Sequence, residues 1–293
     1  MTAANETEHP NPEPILKLGM GFFASKTLLS AIELGVFTEL ARGPLTGKDL
    51  AAKLSLHPRS SRDFFDTLVA LGMLKREGDQ YTNTPTTDTF LDRNKPSYIG
   101  GLCEMLNARL YGFWGSLTEA LRTGQPQNEI KTGGQTFDAI YSDPDRLKGF
   151  LKAMTGVSMG SAMAIAEKFP WQNYKSFIDI GTAEGCVPVA VARRHPHLTG
   201  GGFDLPVVQP HFENYVAANG LTDRVQFHAG DFFNEDLPSA EVLIFGHILH
   251  DWSMEEKMML LKKAHAALPE GGAVLVYDAI IDDDRSQTSS AFS

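Results

Sequence analysis

Phe177-Ile178-Asp179-Ile180-Gly181-Thr182-Ala183-Glu184-Gly185 decides how the second half of the chain reads. Ser176 to Ile180 is a short apolar run with the pattern of a buried strand. Gly181 and Gly185 then allow a tight turn into a helix and a close approach of backbone to a ligand. The stretch is not a nucleotide-phosphate loop. It has no GxxxxGK[ST], and Asp179 and Glu184 would repel a pyrophosphate. An acidic glycine loop suits a ligand with positive charge, such as an amino group or a sulfonium. A glycine turn after a strand is common in itself, so its meaning rests on the residues C-terminal to it.

Working toward the C-terminus, strand and helix patterns alternate. A helix runs from Pro188 to Arg194, and Gly202-Phe203-Asp204 ends a second strand. A helix over His211 to Asn219, a strand over Val225 to His228 and a strand over Val242 to Phe245 come next. Met254 to Leu268 reads as a helix, and Glu270-Gly271-Gly272 leads into a strand over Ala273 to Ile280. The expected fold class is α/β, a Rossmann-like parallel sheet covered on both faces, over residues 171–293. Asp204 lies about 20 residues beyond the glycine loop, where an acidic side chain meets ribose hydroxyls in this topology. Asp231 of Gly230-Asp231-Phe232 can accept from an adenine amino group, and Phe232 can stack on the ring. Three such pieces at successive strand ends point to an adenosyl sulfonium, S-adenosylmethionine.

Gly246-His247-Ile248-Leu249-His250-Asp251-Trp252 comes directly after the fourth strand, so its histidines face the crevice. An isolated histidine is more often structural, but position makes His250 a candidate general base for an acceptor hydroxyl. Asp278, at the end of the fifth strand, can hold the imidazole in the required tautomer. Its bland alternative is an ordinary strand-end carboxylate like Asp282-Asp283-Asp284, which read as solvated.

Toward the N-terminus, residues 1–14 read as a disordered lead-in and residues 15–41 as apolar helix, with Phe22, Leu28, Leu29 and Ile32 on one stripe and Gly35 ending a helix. Thr46 caps a helix bearing Leu50, Ala51 and Leu54, and His57-Pro58 breaks the chain. Ser60 or Ser61 is expected to start a second helix with Phe64, Phe65, Leu68 and Leu71 inward. A hairpin from Met73 to Thr82 turns at Glu77-Gly78-Asp79. This is a winged-helix pattern over residues 15–96. Its second helix begins RSSRDFFDTL, whose two aspartates argue against a DNA groove and for a dimerisation scaffold. Residues 97–170 read as helices linking the two parts. Gly124-Gln125-Pro126 and Thr132-Gly133-Gly134 are their loops. Phe113, Trp114 and Met154 on the apolar stripes, with Trp252, are candidates for lining a substrate pocket, although such stripes are usually core.

The 293 residues are 42% hydrophobic and 21% charged with a net charge of -10, a composition able to bury a sizeable core. No Lys/Arg block supports a nucleic-acid partner. No apolar run reads as long enough to span a bilayer, and the polar N-terminus lacks a signal core. Cys103 and Cys186 are the only cysteines and imply no disulfide framework, which suits a cytoplasmic protein.

These pieces together resemble the small-molecule O-methyltransferases that include the caffeate and acetylserotonin enzymes. FDLPVV, GDFF and LHDW, in that order and spacing, carry the resemblance, which spans nearly the whole chain. It implies cofactor contacts at Gly181, Asp204, Leu205, Gly230, Asp231 and Phe232, with His250 as base. By looser alignment it adds Tyr141 and Ser158. It also implies a homodimer through the N-terminal part and a small-molecule acceptor, for which a phenolic or similar hydroxyl is expected; no metal ligands are assigned. Four departures stand out. GTAEG replaces the usual GGGxG. His247 stands where Lys or Arg is common, and Asp278 replaces Glu. The chain ends at Ser293, just after the fifth strand, where the family continues with a helix and two strands; this reads as a fragment or a frameshift around Gln287 to Ser293, leaving an open sheet edge. Two other functions stay open: C-methylation of an α-keto acid with a metal at His250 and Asp251, and a cofactor-binding, dimerising remnant without catalysis.

Overall fold

Two glycine-bounded helix patterns and a hairpin account for the first part of the molecule. The computed structural model describes residues 10–95, 97–128 and 140–284. The chain divides into two compact units, Met1–Lys131 and Thr132–Ser293. The Thr132-Gly133-Gly134 loop, the stretch Gln287 to Ser293 and residues 1–9 of the expected lead-in lie outside the described residues.

In the first unit, helix α1 (Glu13–Gly19) leads through Met20, itself in helical conformation, into α2 (Gly21–Leu34). Gly35 takes a left-handed φ of 78°, which ends α2 and starts α3 (Val36–Leu40). Thr46, at the end of β1 (Leu45–Thr46), caps α4 (Gly47–Lys53) by accepting from the Asp49 amide. Helix α5 (Pro58–Ala70) is next, then strands β2 (Leu74–Glu77) and β3 (Gln80–Asn83). The three strands form an antiparallel sheet in the order β1-β3-β2. Phe37, Leu50, Phe65, Leu68 and Tyr81 fill the core between helices and hairpin. This is the winged-helix arrangement the hydrophobic spacing predicts. Helix α6 (Pro85–Leu91), α7 (Gly100–Met105), α8 (Tyr111–Trp114) and α9 (Leu117–Thr123) complete the unit, and Gly124 closes α9 in a left-handed conformation.

Three expectations need correction here. Helix α5 starts at Pro58, not at Ser60 or Ser61, because His57 is its cap: the imidazole Nδ1 accepts from the Arg59 amide, and proline is preorganised for the first helical position. Leu71 caps the end of α5 and is exposed rather than inward. One segment is also long and apolar enough to cross a membrane by length and composition. Glu13–Leu34 spans 22 residues with a hydropathy of 1.4 in its 18-residue window. Gly19 and Gly21 disguise that continuity in the sequence, yet Met20 keeps helical angles between them. Leu29, Ala31 and Ile32 of this stretch are buried in the core of the unit.

In the second unit, α10 (Pro144–Lys168) is capped by Asp143, which accepts from the Asp145 and Arg146 amides. Strand β4 (Ser176–Ile180), helix α11 (Cys186–Arg194), β5 (Thr199–Asp204), α12 (Gln209–Ala218) and β6 (Val225–Ala229) succeed it. Then come β7 (Val242–Gly246), α13 (Met254–Ala267) and β8 (Ala273–Tyr277). All pairs in this five-stranded sheet are parallel, in the order β6-β5-β4-β7-β8. Alternate residues of a strand feed opposite faces. Phe177, Val242 and Ile244 join Trp171 and Phe212 in one core layer. Ile178, Ile180, Leu243 and Phe245 join Phe203 and Leu260 in the other. The chain reverses its order of strands at β4 and β7, so their carboxyl ends open a crevice. Strand β8 ends at Tyr277, short of the expected Ile280. Gly246 opposite Tyr277 is the last pair, and Asp278 then turns the chain by accepting from the Ala279 amide. At the outer edge of the sheet, Val274 and Val276 of β8 are exposed.

Candidate functional site

Asp204 ends β5 at the floor of the crevice. It is buried, and its two carboxylate oxygens accept from the Ala183 amide at 2.9 Å and from the Leu205 amide at 2.8 Å. These bonds fix its orientation and leave each oxygen a further lone pair for a hydroxyl donor. Burial pushes its carboxyl up to about 6, against the pull of the two amides. The amide it holds belongs to a strained loop: Gly181 has φ 71°, Ala183 φ 52° and Gly185 φ 90°. At Gly185 a Cβ would fall 2.7 Å from the Phe212 ring, so that position requires glycine for space as well as for φ, whereas Gly181, whose Cβ would meet the movable Ile248 Cδ1 at 2.3 Å, requires it chiefly for φ. The two acidic residues of the loop do not face the crevice as its charge pattern implied. Asp179 is buried and accepts from the Thr182 hydroxyl at 3.0 Å. Glu184 accepts from Thr155 of α10 at 2.9 Å, which ties the loop to that helix.

Gly230 is buried, and a Cβ there would meet the Phe203 ring at 2.5 Å. Asp231 is engaged by its own turn, accepting from the Phe233 amide at 2.8 Å and from Asn234 Nδ2 at 2.7 Å. Phe232 is half-buried, edge-on to Trp252 with ring centroids 5.9 Å apart. Lys263 of α13 pins this turn from behind, donating to the carbonyls of Phe232, Phe233 and Glu235. Tyr141 is half-buried, and Asp204 and Asp251 add to desolvation in holding its hydroxyl protonated well above the usual tyrosine range. Ser158 on α10 is buried and interacts with the Tyr277 hydroxyl. Met154 and Trp252 are half-buried in the same unit, whereas Phe113 and Trp114 belong to α8 of the other unit, where Trp114 is exposed.

The structure brings His250 and Asp278 together. His250 lies just beyond β7 in a short turn, Leu249–Asp251, and its Nδ1 lies 2.8 Å from Asp278 Oδ1. Its Nε2 is 3.5 Å from Asp251 Oδ1, and its side chain remains 38% exposed, so a solute can reach the ring. An imidazole whose Nδ1–H is held by a carboxylate presents a lone pair at Nε2 and gains a counter-charge when it takes a proton. His247 Nδ1 lies 3.6 Å from the same Asp278 oxygen. Burial lowers the basicity of His247, opposed by Asp278. Sequence reasoning did not foresee three of these features: His247 at the shared carboxylate, Lys263 behind the Phe232 turn, and Tyr277 on Ser158. The His-x-x-His spacing of His247 and His250 is the one signal that was present.

Comparison with known proteins gives this geometry a lineage. A profile for the O-methyltransferase domain matches residues 114–292, and one for the O-methyltransferase dimerisation domain matches residues 16–93. A tetracenomycin polyketide synthesis 8-O-methyl transferase of Streptomyces glaucescens is 46% identical over 275 residues, covering 94% of this chain and 80% of that one. An N,N-dimethyltransferase of Streptomyces rimosus is 38% identical over 269 residues, 92% of this chain and 78% of its own length. The solved structure of human N-acetylserotonin methyltransferase in complex with SAM superposes with a TM-score of 0.86 at 25% identity, covering 98% of this chain and 85% of that one. The dimerisation domain and the parallel-sheet domain thus occur here in the family's own order, and the chain belongs to the O-methyltransferase family.

Proposed function

We propose that this chain is an S-adenosylmethionine-dependent methyltransferase acting on a phenolic hydroxyl of a polycyclic aromatic small molecule, with His250 as general base. The observation that carries the reading is the 2.8 Å contact between His250 Nδ1 and Asp278 at the crevice mouth. The described residues fit the cofactor. Asp204 stands ready to accept from a ribose diol, Leu205 and Gly230 flank it, and Phe232 offers a ring beside Asp231. Gly181 brings backbone to the crevice at a φ only glycine takes easily. Tyr141 borders Asp204, and Ser158 backs the site through Tyr277. When bound, S-adenosylmethionine supplies an electrophilic methyl group on a positively charged sulfur.

The chain's own chemistry is to orient the acceptor and take its proton. His250 Nε2 accepts the proton of the acceptor hydroxyl while Asp278 keeps hold of Nδ1–H, so the imidazolium that forms faces a carboxylate. Positioning of the reacting groups contributes up to about 7–11 kcal/mol, and a base contributes about 10²–10⁴-fold. Met154 and Trp252 are the lining residues this unit supplies. The polycyclic acceptor is inferred from the tetracenomycin relative. A second acceptor class, an amine, is favoured by the N,N-dimethyltransferase relative. The dimerisation domain at residues 16–93 supports a homodimer.

The test is His250→Ala, assayed for turnover on a panel of polycyclic phenols and for S-adenosylmethionine binding by calorimetry. Turnover falls at least about 100-fold with cofactor affinity within a few-fold of the parent. Loss of both together, or retention of both, overturns the assignment. On amine acceptors the same variant separates the two classes, because a neutral amine with a free lone pair depends less on a base.

A further inference from the structure

His247 and His250 sit three positions apart in the turn after β7, and both face one carboxylate. His247 Nδ1 is 3.6 Å and His250 Nδ1 2.8 Å from Asp278 Oδ1. One donor atom from each of the three residues can be chosen so that all lie within 4.8 Å of one another. A tetrahedral zinc ion with bonds of about 2.0–2.2 Å needs its donors roughly 3.3–3.5 Å apart, so small side-chain rotations close the cluster on an ion. Imidazole, imidazole and carboxylate is a donor set for zinc and its neighbours rather than for magnesium or calcium. Three protein donors also leave a fourth position open.

The backbone gives an independent observation. His247 is held at φ 53°, a conformation that L side chains rarely adopt. Its amide is bonded to the Tyr277 carbonyl at 3.1 Å, which fixes the residue directly opposite Asp278. A strained residue held over a carboxylate by the sheet register is the kind of outlier from which function is inferred.

We propose that His247, His250 and Asp278 form a site for a zinc-class divalent cation, and that its occupation silences the enzyme. The bond chemistry is simple. The ion accepts the Nδ1 lone pair of His250, and the proton Nδ1 carried moves through solvent to Nε2. Nε2 is then a donor with no lone pair toward the acceptor hydroxyl. The cation site stands on geometry alone, whereas the silencing rests on His250 being the base.

Zinc is titrated into the full chain by calorimetry, and the visible absorption of added Co²⁺ reports tetrahedral coordination. The expected result is one ion per chain and a tetrahedral Co²⁺ band. His247→Asn keeps a residue that tolerates the left-handed backbone but removes the imidazole. It weakens Zn²⁺ binding at least tenfold and raises the zinc concentration that halves turnover by the same factor. His247→Gly carries the same expectation if the asparagine variant folds poorly. Unchanged affinity in both variants, or no tetrahedral band, overturns the site. Zinc bound at this cluster with turnover undiminished overturns the silencing alone. The His250→Ala assay without metal decides separately whether His250 is the base.

Discussion

Asp179 shows what the parallel sheet costs at a single residue. Its carboxyl is buried at the end of the central strand with one hydroxyl donor, Thr182, and with Asp204 nearby. Burial pushes it up to about 7, and the neighbouring Asp204 adds to the rise. A carboxyl held above its ordinary value near 3.8 binds its proton more tightly in the folded state than in the unfolded chain. Its contribution is therefore fully present below about pH 4 and is lost as pH rises through about 7. Asp204, pushed up to about 6, acts in the same direction over a slightly lower window. Asp179→Asn keeps an oxygen to accept from Thr182 and carries no charge. It is expected to raise stability by about 1–4 kcal/mol at pH 8 and to change it little at pH 4. Urea denaturation at both pH values checks this, and an equal effect at both would show that the buried charge is not the cause.

The turn carrying Asp231 and Phe232 depends on an element distant in sequence. Lys263 lies in the third turn of α13, yet its ammonium group donates to three carbonyls of the turn after β6. Lys263→Met keeps the aliphatic stem and removes the donors, at a cost of about 1–3 kcal/mol. The Michaelis constant for S-adenosylmethionine is expected to rise more than turnover falls, because the Phe232 turn loosens while His250 and Asp278 stay in place. A loss confined to turnover would place Lys263 elsewhere in the mechanism. Lys263 also marks the limit of sequence reading. Strand ends were legible because apolar runs, glycines and acidic residues recur locally, and Gly181, Asp204, Gly230, His250 and Asp278 all emerge from that rhythm. Long-range polar contacts leave no such trace: nothing local links Lys263 to Phe232, Ser158 to Tyr277, or Thr155 to Glu184. Charge alone misled at the glycine loop, where Asp179 and Glu184 are taken up by hydroxyls of the protein. Local propensity also placed the start of α5 two or three residues late, because His57 is an unusual cap.

At the scale of the whole molecule, the unit Met1–Lys131 leaves an apolar surface that its own core does not use. Ile15 is 75% exposed, Leu18 84% and Phe23 60%. Beside them, Phe22, Phe23, Leu34, Phe64 and Tyr111 line a groove of about 550 Å³. Exposed apolar surface of this kind marks an interaction site, and the dimerisation-domain match covers residues 16–93. A second copy of the chain is the occupant these facts favour. Replacing Leu18 and Phe23 together by glutamate puts two charges on the patch without touching a buried residue of the unit. Sedimentation is expected to shift from dimer to monomer, with far-ultraviolet dichroism unchanged. The same helical stretch is long and apolar enough to enter a bilayer, so flotation with lipid vesicles gives the competing outcome. A parent chain that sediments as a monomer and floats with vesicles, and a double variant that does not float, would assign the patch to a membrane. A parent dimer that the two charges dissociate assigns it to a second copy, because burying Leu18 and Phe23 against another chain is then what their exposure in one chain is for.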